Sequence, residues 1–398
     1  MRIAHTSDWH LGRRWKGQRR LDEMEAVLDH LASFIESESI DLVVHSGDVF
    51  DTRHPPAEAE RLANEFFVRV GKAGVPSVVI AGNHDDPKRF DARAMLVEFA
   101  SVTMLGRPRS AAEGGTVRIE TKCGEAAMVA CLPFASAGAW VSALDLSGDE
   151  TKARTKYARM FQLAVGNLCA GFAADTVNLF TAHTHIHGAV LAESERRVHV
   201  GEDWAATAET LPNAASYIAL GHIHKPQKLG GLLPARYAGS PLQLDFGEAG
   251  QDKSFVVVEA SPGKPARTDC IPYEGGKALL DVRASLEQLE AKAPTLAESG
   301  WLRVSVPLAK RDPDINRKVR ELLPNALVVR VELPKEEREA VERPDASAVP
   351  SAHYSAYHRR EHGSDPEADV LETFEGLYEE ATGSSDAAGT NRAAGDDV

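Results

Sequence analysis

Acidic, amide and imidazole side chains follow five short apolar runs of this 398-residue chain. The runs are RIAHTSD (2–8), DLVVHSGD (41–48), SVVIAGNHD (77–85), TVNLFTAH (176–183) and YIALGHIH (217–224). Their aliphatic and β-branched residues are typical of buried strands. Because functional residues gather at the carboxyl edge of α/β sheets, we expect these polar side chains to meet there.

The residue types at these strand ends are those that bind divalent metals. The candidates are Asp8, His10, Asp48, Asn83, His84, His183, His222 and His224. One ion cannot use eight groups, so the sequence predicts two ions that share a bridging carboxylate. Paired ions about 3.5–4 Å apart are suited to phosphoester hydrolysis. Oxygen and nitrogen ligands without a thiolate favour manganese, iron or zinc over calcium.

The spacing of the histidines leaves one position open. His222 and His224, like Asp8 and His10, are two residues apart and face the same side of an extended chain. In AHTHIHG, however, three histidines alternate. We favour His183 because it ends its strand directly, but His185 remains an alternative ligand.

The apolar pattern predicts an α/β domain in layers. Helical spacing of apolar residues over 21–37 and 57–72 places helices between the first three strands. After about residue 270, WLRVSVP (301–307), INRKVRELL (315–323) and ALVVRVEL (326–333) predict a small β-α-β module. We therefore expect a main domain over 1–270 and a second domain over 271–334. A linker (335–352), two short helices (353–381) and a disordered tail (382–398) follow.

The net charge of −14 argues against a nucleic-acid partner. The distribution of charged residues along the chain, however, is compatible with one. Residues 351–398 alone carry eleven acidic and three basic residues, whereas residues 11–20 carry five basic and no acidic residues. Basic side chains beside the predicted metal site suit backbone phosphates, and Trp15 could stack on an unpaired base. The candidate DNA contacts are Arg13, Arg14, Lys16, Arg19, Arg20, Lys88 and Arg89, with Arg93 extending the same rim. The alternative is a solvated charged loop.

Several motifs together resemble the calcineurin-like metallophosphoesterases. They are SDWHLG, GDVFD, GNHD, a strand-terminal His and GHIH. The flanking stretches MRIAHTSDWHLG, SGDVFDTRHPP, YIALGHIHKPQ and YAGSPLQLDFGE are similar to those of the nuclease subunits of bacterial complexes that contain an ATPase. This resemblance implies a layered β-sandwich core flanked by helices, a small α+β capping domain and a C-terminal helical partner-binding segment.

The resemblance also implies roles for the strand-end residues. One ion would be bound by Asp8, His10, Asp48 and His224, and the other by Asp48, Asn83, His183 and His222. His84 would contact the scissile phosphate or the leaving group, with Asp85 beside it to orient or charge the ring. Asp51 could steady His84 or the substrate, or it could only cap the following turn.

The implied activity is manganese-dependent cleavage of DNA ends and hairpins during repair, by an exonuclease and endonuclease. The apolar residues Val370, Leu371, Phe374, Leu377 and Tyr378 would dock on the ATPase subunit. Residues 57–72 and 91–100 would form a homodimer within a heterotetramer, although core packing also explains their apolar residues.

Two other functions stay open, a stand-alone phosphodiesterase of a small nucleotide and a DNA-end tethering subunit with minor turnover. We expect a cytoplasmic protein with no membrane segment and no signal peptide, in which the four cysteines are reduced.

Overall fold

The structure is a computed structural model that describes residues 1–135, 153–192, 194–195, 205–231, 234–310, 312–334, 348–362 and 365–386. The chain divides into two units, Met1–Val306 with Asp312–Val331, and Pro307–Arg311 with Glu332–Val398. Among the described residues, none of the helices is both long enough and apolar enough to cross a membrane.

Seventeen strands and eight α-helices are described. The strands are β1 (Arg2–Thr6), β2 (Arg14–Trp15), β3 (Gln18–Arg19), β4 (Leu42–His45), β5 (Ser77–Ile80), β6 (Val102–Leu105), β7 (Thr116–Glu120), β8 (Ala126–Leu132), β9 (Val177–His183), β10 (Tyr217–Gly221), β11 (Gln227–Lys228), β12 (Ala235–Tyr237), β13 (Ser254–Glu259), β14 (Arg267–Pro272), β15 (Leu279–Arg283), β16 (Trp301–Pro307) and β17 (Ala326–Glu332). The helices are α1 (Leu21–Ser37), α2 (Ala57–Lys72), α3 (Pro87–Val97), α4 (Ala153–Leu168), α5 (Leu286–Glu298), α6 (Ile315–Leu322), α7 (Pro350–His362) and α8 (Ala368–Asp386).

Two six-stranded sheets form the main part of the first unit. Their strand orders are β14-β13-β1-β4-β5-β6 and β11-β12-β10-β9-β8-β7. The central strands of each sheet are parallel, which brings the carboxyl ends of β1, β4 and β5 to one edge. The carboxyl ends of β9 and β10 likewise share an edge of the second sheet. All five predicted strands are therefore confirmed.

The two sheets pack face to face over one apolar cluster. Ile3 and Val44 from the first sheet and Val129 and Leu179 from the second are fully or almost fully buried in it. Helices α1 and α2 cover the outer face of the first sheet, and α4 packs in the cluster on the second. This helix–sheet–sheet–helix arrangement confirms the predicted layered sandwich, since each sheet buries both faces.

A third sheet, with the strand order β15-β16-β17, follows in the same unit. The predicted β-α-β module corresponds to β16, α6 and β17, but the sequence reasoning missed β15 and α5. Strand β15 has only three apolar residues, and α5 contains Pro294, which ordinarily disfavours a helix interior. A capping box at Ser285 and Gln288 nevertheless begins α5.

The second unit contains the two C-terminal helices, α7 and α8. They contact each other through the stacked rings of Tyr354 and Phe374, whose centroids lie 4.3 Å apart. Both helices are longer than predicted, and α8 continues to Asp386, within the stretch for which we expected disorder. Residues 335–347 of the predicted linker and 387–398 of the predicted tail lie outside the described residues.

Candidate metal centre

The predicted ligands all follow the carboxyl ends of central strands. Strand β1 leads to Asp8 and His10, β4 to Asp48, β5 to Asn83 and His84, β9 to His183, and β10 to His222 and His224. Every one of these side chains is buried, with at most 8% of its surface exposed. Polar groups so far from water need partners, and here they have mainly one another.

Four of these residues have left-handed backbone conformations. The φ angles are 53° at Asp8, 48° at His10, 57° at Asp48 and 101° at His222. Residues other than glycine rarely adopt such angles, which cost of order 1–3 kcal/mol each and concentrate at functional sites. The chain turns sharply after each strand and so directs these side chains to one point.

Two glycines allow the loops to approach the ligands. A Cβ atom on Gly47 would lie 2.3 Å from His183 Nδ1, and one on Gly82 would lie 2.1 Å from Asp48 Oδ1. Only glycine fits at these contacts. This explains why the sequence has Gly directly before Asp48 and directly before Asn83.

The first group of ligands contains Asp8, His10 and His224, whose ligand atoms lie within 4.8 Å of one another. The Nε2 atoms of His10 and His224 are 3.1 Å apart. His10 Nδ1 donates a hydrogen bond to Asp51 Oδ1 at 3.2 Å, so its Nε2 lone pair is directed inwards. Two imidazole nitrogens this close together can bind the same cation.

The second group contains Asn83, His183 and His222. Asn83 Oδ1 lies 2.9 Å from both His183 Nε2 and His222 Nδ1. His183 Nδ1 donates to the Ser46 carbonyl oxygen at 2.8 Å, which leaves Nε2 as its metal-binding atom.

Asp48 lies between the two groups. Its Oδ2 atom is 3.6 Å from His10 Nε2 and 3.4 Å from His183 Nε2. One carboxylate oxygen is thus within reach of both groups, as a bridging ligand requires.

The electrostatics of the cluster suit a divalent cation. Burial lowers the pKa of His10 to about 3, which keeps the ring neutral. Although burial opposes it, nearby His183 and His84 lower the pKa of Asp48 well below its usual range. Burial also lowers the pKa of His183, but the Asp48 carboxylate raises it to about 9. Positive charge beside Asp48 is therefore favourable, and the oxygen and imidazole donors present fit a divalent metal.

The alternation of histidines after β9 has a structural counterpart. His183 contacts Asn83 and approaches Asp48, whereas His185 belongs to none of the ligand groups found among the described residues. Its Nδ1 atom is buried without a hydrogen-bond partner there. This geometry favours His183 over His185.

His84 lies beside the metal ligands. Its Nδ1 atom donates to the Asp51 carbonyl oxygen at 2.7 Å, and its ring packs edge-on against His10. The Asp51 carboxylate oxygen Oδ1 lies 3.2 Å from His10 Nδ1, 3.3 Å from Arg13 Nη1 and 3.9 Å from His84 Nδ1. The expectation that Asp85 orients the His84 ring needs correction, because the Asp85 carboxylate accepts hydrogen bonds from backbone N–H groups instead.

Sequence reasoning missed a set of polar residues that contact the Nδ1 atom and the carbonyl oxygen of His224, either directly or through one another. Ser194 Oγ contacts both His224 Nδ1 and Glu248 Oε1. Glu248 forms an ion pair of 2.6 Å with Lys253, whose Nζ donates to the His224 carbonyl oxygen at 2.9 Å. The stretch LDFGE (244–248) contained the signal, a Glu that the structure buries completely.

The basic segment forms a hairpin of β2 and β3, with Lys16 and Gly17 left-handed at its turn. Arg14, Lys16 and Arg19 are exposed, while Arg13 is half-buried in an ion pair of 3.3 Å with Asp51. This ion pair links the hairpin to the metal centre.

Two expectations for the hairpin are corrected. Arg20 is only 5% exposed, and its guanidinium donates to both carboxylate oxygens of Glu23. Trp15 is also 5% exposed, and its indole donates to Asp245 at 3.1 Å. Neither side chain is on the surface, and each donates to a carboxylate, that of buried Glu23 for Arg20 and that of partly buried Asp245 for Trp15.

The second basic group lies at the start of α3. Lys88 and Arg89 are exposed, and Asp86 caps this helix by accepting from their backbone N–H groups. Arg89 and Arg93 both form ion pairs with Glu60, which reduces the positive charge that they present.

The predicted partner-binding residues lie on α8. Val370, Leu377 and Tyr378 are exposed by 40%, 61% and 45%. Leu371 and Phe374 are half-buried, and Phe374 stacks on Tyr354 of α7. The helix thus keeps part of its apolar stripe at the surface.

Fold and site together define a metallophosphoesterase, in which ligands from two packed sheets converge at the strand ends. Residues 1–226 match the family model described as calcineurin-like phosphoesterase. The match covers the strands that carry all the candidate ligands.

Three curated relatives are named as the SbcD component of the nuclease SbcCD. The protein of Bacillus subtilis (strain 168) is 38% identical over 288 residues, which covers 72% of this chain and 73% of that one. The protein of Escherichia coli (strain K12) is 32% identical, covering 87% and 88%, and that of Rhodobacter capsulatus is 31% identical, covering 77% and 80%. The chain therefore belongs to the calcineurin-like phosphoesterases and, within them, to the SbcD nucleases.

Proposed function

We propose that this metal-dependent nuclease hydrolyses DNA phosphodiesters with two divalent ions, most favourably Mn²⁺. Asp8, His10, Asp48 and His224 would hold one ion, and Asp48, Asn83, His183 and His222 would hold the other. The observation that carries the proposal is the position of Asp48 Oδ2, 3.6 Å from His10 Nε2 and 3.4 Å from His183 Nε2. Imidazole and oxygen ligands in this mixture suit manganese.

We assign different roles in hydrolysis to the metal ligands, His84 and Asp51. Two divalent ions bound by these residues would supply positive charge for the phosphate oxygens and would lower the pKa of an attacking water. His84 is the proton donor and acts as an imidazolium: its Nδ1–H is held by the Asp51 carbonyl oxygen, and its Nε2–H gives its proton to the leaving oxygen, which leaves a neutral ring. The Asp51 carboxylate holds His10 through Nδ1 and orients that ligand.

The substrate is DNA. The names of the curated relatives, which are called nucleases, support this. Arg14, Lys16 and Arg19 are exposed on the hairpin that directly follows His10, and Lys88 is exposed just after His84. Such residues bind backbone phosphates without reading the sequence. Their position in the chain directly after His10 and His84 supports a DNA path across the metal centre.

The partner is the SbcC ATPase, since the relatives are one component of a complex named SbcCD. The exposed apolar residues Val370, Leu377 and Tyr378 of α8 are the proposed contact. Apolar side chains in such numbers on one short helical segment are typical of a docking surface.

We further propose a homodimer, formed through α3 and the residues that follow it. Met95, Leu96 and Phe99 are exposed by 78%, 72% and 93%. By contrast, Leu62, Phe66, Phe67 and Val70 of α2 are buried in the core, so core packing accounts for them. The proposed assembly, a heterotetramer of two such chains with two SbcC chains, therefore uses only the 91–100 part of the predicted surface.

The proposal is tested with the purified full-length chain, Mn²⁺ and two substrates, an end-labelled DNA duplex and an aryl phosphodiester. The expected result is shortening of the DNA, which a chelator abolishes. Cleavage of the small diester alone would support a stand-alone phosphodiesterase instead. DNA binding without cleavage would support a tethering role.

A further inference from the structure

A buried carboxylate that the mechanism does not use lies directly after the metal-site residues Asn83 and His84. Asp85 is 1% exposed, and no cationic side chain pairs with it in the described part of the chain. Instead its Oδ2 atom accepts from Gly82 N–H at 2.9 Å and from Val49 N–H at 3.2 Å, and its Oδ1 atom accepts from Phe50 N–H at 2.9 Å. Asp85 thus joins two segments of backbone.

These segments are the Asp48 loop (47–51), which follows β4, and the Asn83 loop (82–86), which follows β5. The joining is reciprocal, because Asp48 Oδ1 accepts from His84 N–H at 2.8 Å. Each loop therefore contributes a carboxyl group that accepts hydrogen bonds from the backbone of the other. Such buried bonds are costly to break, because a donor that loses its partner has no water to replace it.

The Asp48 loop needs such support. Gly47 and Asp48 are consecutive left-handed residues, with φ angles of 96° and 57°. Strained backbone persists only where its surroundings hold it in place. The N–H groups that follow the strained residue Asp48, those of Val49 and Phe50, are the ones that Asp85 binds.

We propose that Asp85 is a positioning residue that holds the Asp48 loop against the Asn83 loop. It thereby sets the position of the bridging carboxylate relative to Asn83 and His84. This inference rests on the proposed two-metal function. Its consequence is that loss of Asp85 weakens metal binding although Asp85 binds no metal itself, as groups that orient metal ligands do.

The decisive variant is Asp85→Asn, which keeps the size of the side chain. An amide has one acceptor oxygen, so it cannot accept from Val49, Phe50 and Gly82 in the native geometry. The matched control is Asp41→Asn. Asp41 is also buried, 5% exposed, and accepts a backbone hydrogen bond from Arg2 at 2.8 Å. It precedes β4, at the opposite edge of the sheet.

The experiment measures Mn²⁺ binding by titration calorimetry, and the thermal unfolding midpoint of the metal-free protein, for wild type and both variants. We expect Asp85→Asn to lower the Mn²⁺ affinity about tenfold or more. Amide hydrogen exchange of Val49 and Phe50 should accelerate in that variant. Asp41→Asn should keep the wild-type affinity even if its unfolding midpoint falls by a similar amount.

Wild-type Mn²⁺ affinity in Asp85→Asn would overturn the inference, as would equal losses of affinity in both variants. If Asp85→Asn does not fold, amide hydrogen exchange of the metal-free wild type tests the inference instead. Slow exchange of the Gly82, Val49 and Phe50 amides without metal supports the inference, and fast exchange overturns it. A wild type that binds no Mn²⁺ would instead refute the proposed function itself, which separates the two failures.

Discussion

At the residue scale, burial and neighbouring charges set the protonation states of the side chains in the metal centre. His10 stays neutral because burial lowers its pKa to about 3, and Asp48 stays ionised because three histidines surround it. The ligand atoms of His84, His10 and Asp48 also lie within 4.8 Å of one another, but His84 is the most exposed of the candidate residues, at 8%, and its Nδ1 donates to the Asp51 carbonyl oxygen. The proposed function assigns it a proton-transfer role rather than a ligand role.

The change His84→Gln tests that role. We expect hydrolysis of DNA to fall by at least about 10²-fold, the usual contribution of a general acid. The metal content should stay near that of wild type, because the ring is not needed as a ligand. The measurement is a rate assay combined with elemental analysis of the dialysed protein. Loss of metal in the variant would contradict the assignment.

Much of the site could be predicted from the sequence, because a short apolar run followed by a polar residue marks the end of a buried strand. Asp8, Asp48 and His183 each follow an apolar run that only a buried strand explains. What could not be predicted depends on contacts between distant segments. Asp85 looked like a partner of the adjacent His84, yet it binds the amides of Val49 and Phe50. Likewise, Glu23 is only three residues from Arg20, but nothing local shows that the guanidinium also donates to the distant Gln243 carbonyl oxygen.

At the element scale, the β2–β3 hairpin connects the metal centre to the surface and to the third sheet. Its exposed side chains are Arg14, Lys16 and Arg19. Arg20, which directly follows the hairpin, is buried in an ion pair with Glu23. Glu23 of α1 accepts from Arg20 and, at 2.9 Å, from the indole of Trp301 in β16. The hairpin therefore has an outer basic face and an inner structural side.

The outer face is tested by the triple change of Arg14, Lys16 and Arg19 to Gln. Each lost phosphate contact should reduce the slope of log affinity against log salt concentration by about 0.9. The measurement is DNA binding over a range of salt concentrations. The control changes Lys122, Lys264 and Arg267 to Gln, since these exposed residues lie at the amino ends of the strands. Equal slopes for the two triple variants would place the DNA elsewhere.

The inner side is tested by the pH dependence of stability. Burial raises the pKa of Glu23, but Arg20 more than offsets it, so the folded pKa lies below the ordinary value of 4.5. The ion pair therefore stabilises the fold above about pH 4.5, and this contribution is lost as the pH falls through the folded pKa.

We expect the free energy of unfolding of wild type to exceed that of Glu23→Gln at pH 7, and the difference to shrink below about pH 4.5. Removing one partner of such a buried pair costs about 3–5 kcal/mol. The measurement is urea unfolding of both proteins at several pH values. A difference that does not change with pH would contradict the ion pair.

At the scale of the whole molecule, the candidate metal ligands and the proposed SbcC-docking surface belong to different units of the chain. All candidate ligands lie between Asp8 and His224 in the first unit, whereas the apolar stripe of α8 lies in the second. The four-layer sandwich holds the ligands through two sheets that share one core, and the described residues of this core include none from α7 or α8.

Removal of the chain after residue 345 tests this division. Nuclease activity on short DNA with Mn²⁺ should remain within a few-fold of wild type, while association with SbcC should be lost. The measurement is co-purification combined with a rate assay. Leu377→Asp in the full-length chain provides a smaller change that should weaken association alone. Unchanged co-purification of the shortened chain would refute the docking role of α8.

The central claim, two ions that share Asp48, is tested most directly by anomalous diffraction from crystals of the protein grown with Mn²⁺. The account predicts two anomalous peaks on either side of the Asp48 carboxylate. One should contact Asp8, His10 and His224, and the other Asn83, His183 and His222. A single peak, or a pair of peaks that does not contact Asp48, would contradict it.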